Sequence, residues 1–195
     1  MSGSVVLVGN APDPADRAAL VDGASHVVRF NDAFGFGSST GRRLDDLFLV
    51  NCGGQMREWL NDPGFERRPQ VAAARRIMLP LAPGDRPPEP TDDPFADHLN
   101  HADEAVRRLS SADREVRIVP RADYESTCAA LGIAPDGDRA PSTGFLALQH
   151  YRRTMPQRRI ELVGFGFAGW DGHAWDAERR WVEERLNPER LVWHR

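Results

Sequence analysis

Between Pro141 and Trp181 the chain reads PSTGFLALQHYRRTMPQRRIELVGFGFAGWDGHAWDAERRW, and three kinds of residue in it can do chemistry. Ser142 and Thr143 follow a proline and precede the apolar Phe145, Leu146, Leu148 and Tyr151, the pattern of a hydroxyl cap on a helix. The free N–H groups of such an end attract anions. Ile160 to Val163 is a short apolar run that leads into Gly164, Gly166 and Gly169, a loop whose bare backbone lets a ligand come close. His173 follows, with Glu178 five positions on. An anion seat, an open backbone loop and an imidazole together describe one active site, although a lone histidine in a glycine turn also serves as a structural hydrogen-bonder.

Three asparagines add to this. The stretches VLVGN, VVRFN and LFLVN end on Asn10, Asn31 and Asn51. In a parallel sheet these strand ends share one edge, and ligands of open α/β sheets bind in the crevice outside the carboxyl ends of the strands. An uncharged amide with two donors and an acceptor suits a base edge, a ribose hydroxyl or a phosphate oxygen. The spacing therefore points to a nucleotide site; the competing reading is that asparagine ends strands by bonding its own backbone.

The elements that must position these groups follow from periodicity. Strands are expected at Ser4–Val8, His26–Phe30, Leu47–Val50, Ile77–Leu79, Val116–Val119, Ile160–Val163 and Leu191–Trp193. Helices are expected at Asp13–Val21 with Asp13 as cap and Pro14 first, at Gly54–Leu60, at Asp97–Leu109, at Ala122–Leu131 and after Ser142. Alternating apolar strands and helices mean an α/β fold, a single Rossmann-like domain over residues 1–195 with a mostly parallel central sheet flanked by helices. Residues 82–96, proline-rich from Ala82 to Pro94, read as an irregular loop, either a linker or a lid over an acceptor.

Composition excludes several classes. With 195 residues and 41% hydrophobic content, the chain is the size of one globular domain. No apolar run nears the roughly 18 residues of a membrane span, and the start MSGSVVLVGN lacks the features of a signal peptide, so a cytoplasmic protein is expected. Cys52 and Cys128 are too few for a disulfide framework. A net charge of -4 argues against a nucleic-acid surface, and the arginine-rich stretches 67–76 and 152–159 read as solvated faces. Gly164, Gly166 and Gly169 spell GxGxxG, but Trp170 to His173 intervene where a dinucleotide loop opens into its helix. His98 and His101 have helical metal spacing yet sit in an acidic stretch that reads as surface. No metal is expected.

Taken together, the sequence resembles the sialyltransferases of glycosyltransferase family 29, whose fold is a GT-A variant. Their large motif is similar to residues 5–51, with its strand-end GN and RFN; their small motif to PSTGFLAL followed by LVGFGF; their very small motif to His173 through Glu178. The family's further histidine–aromatic motif has no separate counterpart unless HAW at His173–Trp175 is its remnant, and the family's cysteine bridge is missing. The GWDGH and AERRWV wording also resembles small bacterial urease operon accessory proteins.

The first resemblance implies a CMP-activated sugar as donor substrate, with no separate cofactor, a glycan or other hydroxyl acceptor as partner, and an inverting, metal-independent transfer. On that reading Asn10, Asn31 and Asn51, with Gly164 and Gly166, bind the nucleotide; Ser142, Thr143 and Gly144 hold its phosphate; His173 is the general base. Glu178 either orients that ring or supports the helix, and helix support is the preferred role. Phe34, Trp170 and Trp175 either stack on sugars or pack the loops. The second resemblance leaves open a nucleotide-binding accessory protein without turnover.

Overall fold

The computed structural model describes residues 3–12, 15–84 and 99–195. Seven parallel strands form one sheet in the order β5-β4-β3-β2-β1-β6-β7: β1 Val5–Val8, β2 His26–Phe30, β3 Asp46–Phe48, β4 Arg76–Leu79, β5 Glu115–Ile118, β6 Ile160–Val163 and β7 Leu191–His194. Strands β1 and β6 are buried along their whole length, as parallel strands covered on both faces must be. Alternation divides their side chains. Val5 and Leu7 share a core with Phe145 and Leu148 of α6 (Thr143–Thr154) and Trp181 of α7 (Trp175–Glu183). Val6 and Val8 instead pack with Val21 of α1 (Ala18–Asp22). On that second face, Leu47 and Ile77 meet α2 (Gly54–Asn61), α3 (Pro69–Ala73) and α4 (Ala102–Leu109). Helix α5 (Arg121–Leu131) packs on α6. Among the described residues no helix is long and apolar enough to cross a membrane.

The strand order runs one way from β1 to β5 and then returns to β6 on the other side of β1. The reversal lies between β1 and β6, where an α/β sheet opens a crevice at the carboxyl edge. Two glycines let the backbones converge there. Gly9 N–H donates to Val163 O and Ala11 N–H to Gly164 O, and Gly164 takes a left-handed φ of 64°. A Cβ on Gly9 would stand 2.3 Å from Gly164 O. Gly9→Ala is therefore expected to force the two strand ends apart and to cost about 1–3 kcal/mol, read as a lowered urea midpoint.

Several elements differ from the sequence expectation. Strand β3 leaves the ladder at Phe48 because the Val50 N–H goes to the Asn31 side chain at 2.9 Å. Helix α4 begins at Ala102, where Asn100 Oδ1 accepts the Ala102 N–H; positions 97 and 98, and with them the His98 half of the metal pair, lie outside the described residues. Helix α1 begins at Ala18, whose N–H Asp16 accepts, while the expected cap Asp13–Pro14 lies outside the described residues, as do positions 85–96 of the proline-rich loop. The short turn Phe65–Arg67 and α3 were not foreseen. The arginine stretch 67–76 is not simply solvated: Arg76 is committed to the buried Asp46. Both cysteines are buried, and neither is in a disulfide.

Candidate functional site

At the carboxyl edge a cavity of about 410 Å³ opens between β1, β2, the start of α6 and the loop after β6, within the range of small-molecule sites. Asn10 and Asn31 line it from the first two strands, Ser142, Thr143 and Gly144 from the helix end, and Gly164, Gly166 and His173 from the loop. Eight of the ten residues singled out in the sequence thus meet in one cavity. Among the described residues no aspartate, glutamate, lysine or arginine lines it, so these residues would receive an anion there through dipoles and N–H groups.

Ser142 caps α6, its Oγ accepting the Phe145 N–H at 3.2 Å. The N–H groups of Thr143 and Gly144 and the Thr143 hydroxyl have no protein partner among the described residues. These are the free first-turn donors of a helix, and they carry the positive end of its dipole.

The three asparagines differ in what they leave free. Asn31, with a left-handed φ of 51°, spends its Oδ1 on Val50 N–H and keeps its amide nitrogen unengaged among the described residues. Asn10 donates to Phe30 O at 3.0 Å and accepts Phe34 N–H at 3.0 Å, so it mainly fixes the loop after β2. Asn51 is fully buried and does not reach the cavity. It donates to Leu81 O and Asn100 Oδ1 and accepts Leu81 N–H. Its assignment as a nucleotide ligand is corrected: every polar atom of the amide clips β3 to the segments that follow β4 and precede α4.

His173 sits on the loop that Ala140 ties down, Ala140 N–H donating to Gly172 O at 2.9 Å. The ring Nδ1 lies 3.2 Å from Ala140 O. A carbonyl only accepts, so Nδ1 carries the proton and Nε2 keeps its lone pair. Burial lowers the ring's pKa, against a smaller opposing effect of the Ala140 carbonyl. Trp170 and Trp175 stand edge-on to the imidazole, each 4.9 Å between centroids. Both tryptophans line the cavity, whereas Phe34 stands 64% exposed outside its lining. Phe165, which the sequence reading passed over, lines it too and packs edge-on against Phe30.

Glu178 lies outside the cavity and 1% exposed. It accepts the Ser142 N–H at 2.6 Å and the Ser142 hydroxyl at 2.7 Å. Its role is to hold the helix end, and as a group that never touches the cavity it is a positioning residue. Burial pushes its carboxyl up to about 7, with the Ser142 bonds opposing. While ionised it keeps the serine proton turned away from the cavity and sets a negative charge behind the start of α6. Anion affinity in the wild type should fall as pH rises through about 7. Glu178→Gln should remove that loss: its affinity for inorganic phosphate matches the wild type at acid pH and exceeds it about tenfold in mild alkali, measured by titration across pH.

The loop after β2 is fixed from below by Arg29, which is fully buried. Its guanidinium donates to Arg43 O, Thr40 Oγ1, Thr40 O and Gly41 O. Burial lowers its pKa to about 10, partly offset by the charge of Asp22. The RFN wording thus couples a loop anchor, an apolar wall and an amide at the cavity. Among the described residues no group of three or more metal-ligating side chains assembles.

No protein-family model matches the sequence. The chain is 28% identical over 199 residues to the urease operon 23 kDa accessory protein of Rhizobium meliloti (strain 1021), covering 96% of this chain and 90% of that protein. The fold is similar to the crystal structure of a mammalian sialyltransferase, with a TM-score of 0.61 and 13% identity over 99% of this chain and 69% of the other. Both resemblances seen in the sequence are supported, the sialyltransferase one in fold and the accessory-protein one in sequence.

Proposed function

We propose that the protein is an inverting glycosyltransferase that moves a sugar from a CMP-activated donor, of the sialyltransferase kind, to an acceptor hydroxyl. The observation that carries this reading is the sharing of one cavity by the free Thr143 and Gly144 donors, the free Asn31 amide and the unprotonated His173 Nε2. His173 Nε2 takes the acceptor proton as the acceptor oxygen bonds to the anomeric carbon. The bond from that carbon to the phosphate oxygen breaks on the opposite face, and its electron pair leaves with CMP. The charge growing on the phosphate is met by the helix donors. Asn31 and Asn10 face the nucleoside side of the cavity. Incubation with CMP-sialic acid and a panel of hydroxyl acceptors tests this: His173-dependent release of CMP supports it, and an intact donor bound by the protein contradicts it.

The sequence relative favours a second reading, a nucleotide-binding accessory protein of the urease-operon kind that keeps the crevice without turnover. It differs in one outcome: CMP binds, and His173→Ala changes nothing that can be measured.

A further inference from the structure

We propose a second anion site at the opposite edge of the sheet, a pocket for a small phosphate-bearing ligand built from Arg152, Arg158 and Arg190. A cavity of about 320 Å³ is lined there by these three arginines with Met155, Pro156 and Ile160. Ile160 opens β6 and Arg190 directly precedes β7, so the cavity lies at the amino ends of the strands, away from the crevice.

What singles out these three is how they are held. Arg158 donates to Gly3 O at 3.2 Å and Ser25 Oγ at 3.1 Å, and Arg190 to Pro156 O at 2.9 Å. Arg152 lies over the Trp181 ring at 4.6 Å. Each guanidinium is positioned by a neutral group, and none has a carboxylate partner among the described residues. Other arginines nearby are different: Arg153 pairs with Asp123, Arg159 with Glu161, and Arg185, which shares the Trp181 ring with Arg152, with Glu184. The uncompensated charge is therefore concentrated on the cavity. Neutralised flanks make it a pocket for one compact anion, and a nucleic-acid track would need the charge to continue along the surface. Guanidinium forks suit phosphate oxygens, and Met155 and Ile160 offer an apolar floor to whatever the phosphate is attached to.

The test is calorimetric titration with pyrophosphate of the wild type, of Arg152→Gln/Arg190→Gln, of Arg190→Gln alone and of the crevice variant Asn31→Asp. Arg190 is exposed, so the single variant keeps the fold and carries the test if the double variant does not. The expected result is binding to the wild type with a component that is weakened about fivefold by Arg190→Gln and tenfold or more by the pair, and that persists with the same affinity in Asn31→Asp. Absence of binding at millimolar pyrophosphate, equal binding by the arginine variants, or loss in Asn31→Asp instead would overturn the site. An acidic peptide that binds more tightly than pyrophosphate would overturn the small-ligand assignment. Failure of the crevice reading leaves this result untouched, because the two sites are read by different variants.

Discussion

His173→Ala is expected to slow sugar transfer by about 10²- to 10⁴-fold, the range of a general base, while CMP affinity stays within about twofold. The reason is local. The ring lies at the cavity wall with Nδ1 committed to Ala140 O, so the only atom that the substitution withdraws from the reacting groups is the basic Nε2. Burial holds the ring's pKa below its ordinary value. The base is therefore already unprotonated at neutral pH, and the rate should fall only on the acid side as His173 takes up its proton. His173→Gln keeps much of the shape and none of the basicity, and it should be as slow as the alanine variant. A rate that survives either substitution places the base elsewhere.

The largest loss of stability is expected from Asp46→Ala, about 3–5 kcal/mol. Asp46 is buried at the amino edge, where it bonds Arg76 at 2.5 and 2.6 Å, His26 at 2.7 Å and the Tyr151 hydroxyl. These partners come from β4, β2 and α6, so one carboxylate ties three adjacent strands to the helix whose far end lines the cavity. Removing it leaves a guanidinium, an imidazole and a phenol without their acceptor. Burial alone would raise this carboxyl, but the hydrogen bonds of His26, Arg76 and Tyr151 outweigh it and hold it at about 2. A depressed carboxyl stabilises the fold fully above its ordinary range, and that contribution is lost as pH falls toward 2. Glu178 has the opposite sign: raised to about 7, it favours the folded state below the usual glutamate range, and the contribution is lost as pH rises through about 7. Stability should therefore peak at about pH 4, falling toward about 2 as Asp46 takes up its proton and declining from the usual glutamate range up to about 7 as Glu178 ionises, and Asp46→Ala should lower the urea midpoint and flatten the acid limb. Because the cluster lies at the other end of the strands, the folded variant should still bind CMP.

The parts of the site that were legible in the sequence are those written in local pattern. A hydroxyl before an apolar helix, as at Ser142, and a glycine loop after an apolar strand, as at Gly164, are decided by a few neighbouring residues, and both occur where they were expected. The three strand-end asparagines look alike in sequence, and only distant partners separate them. Asn51 is spent on Leu81 and Asn100, 30 and 49 positions away, whereas Asn31 bonds Val50 and keeps its donors. Glu178 could be read as helix support, but its partner Ser142 lies 36 positions earlier. Arg76 read as surface because charge is normally solvated; the aspartate opposite it in register on β3 reverses that. Pro69 at the first position of α3 was a start signal of the kind that marks helices, and it was available in the sequence.

Asn31 gives the most direct access to the central claim, that the crevice is a CMP site. Asn31→Asp keeps an oxygen for the Val50 N–H and tolerates the left-handed backbone, while replacing the free amide donor by a negative charge. Calorimetric titration of the wild type with CMP, beside UMP, AMP and NAD, and of Asn31→Asp with CMP should give selective CMP binding that the substitution weakens about tenfold or more. Equal affinity in the variant, a preference for NAD, or no CMP binding at all would contradict the assignment.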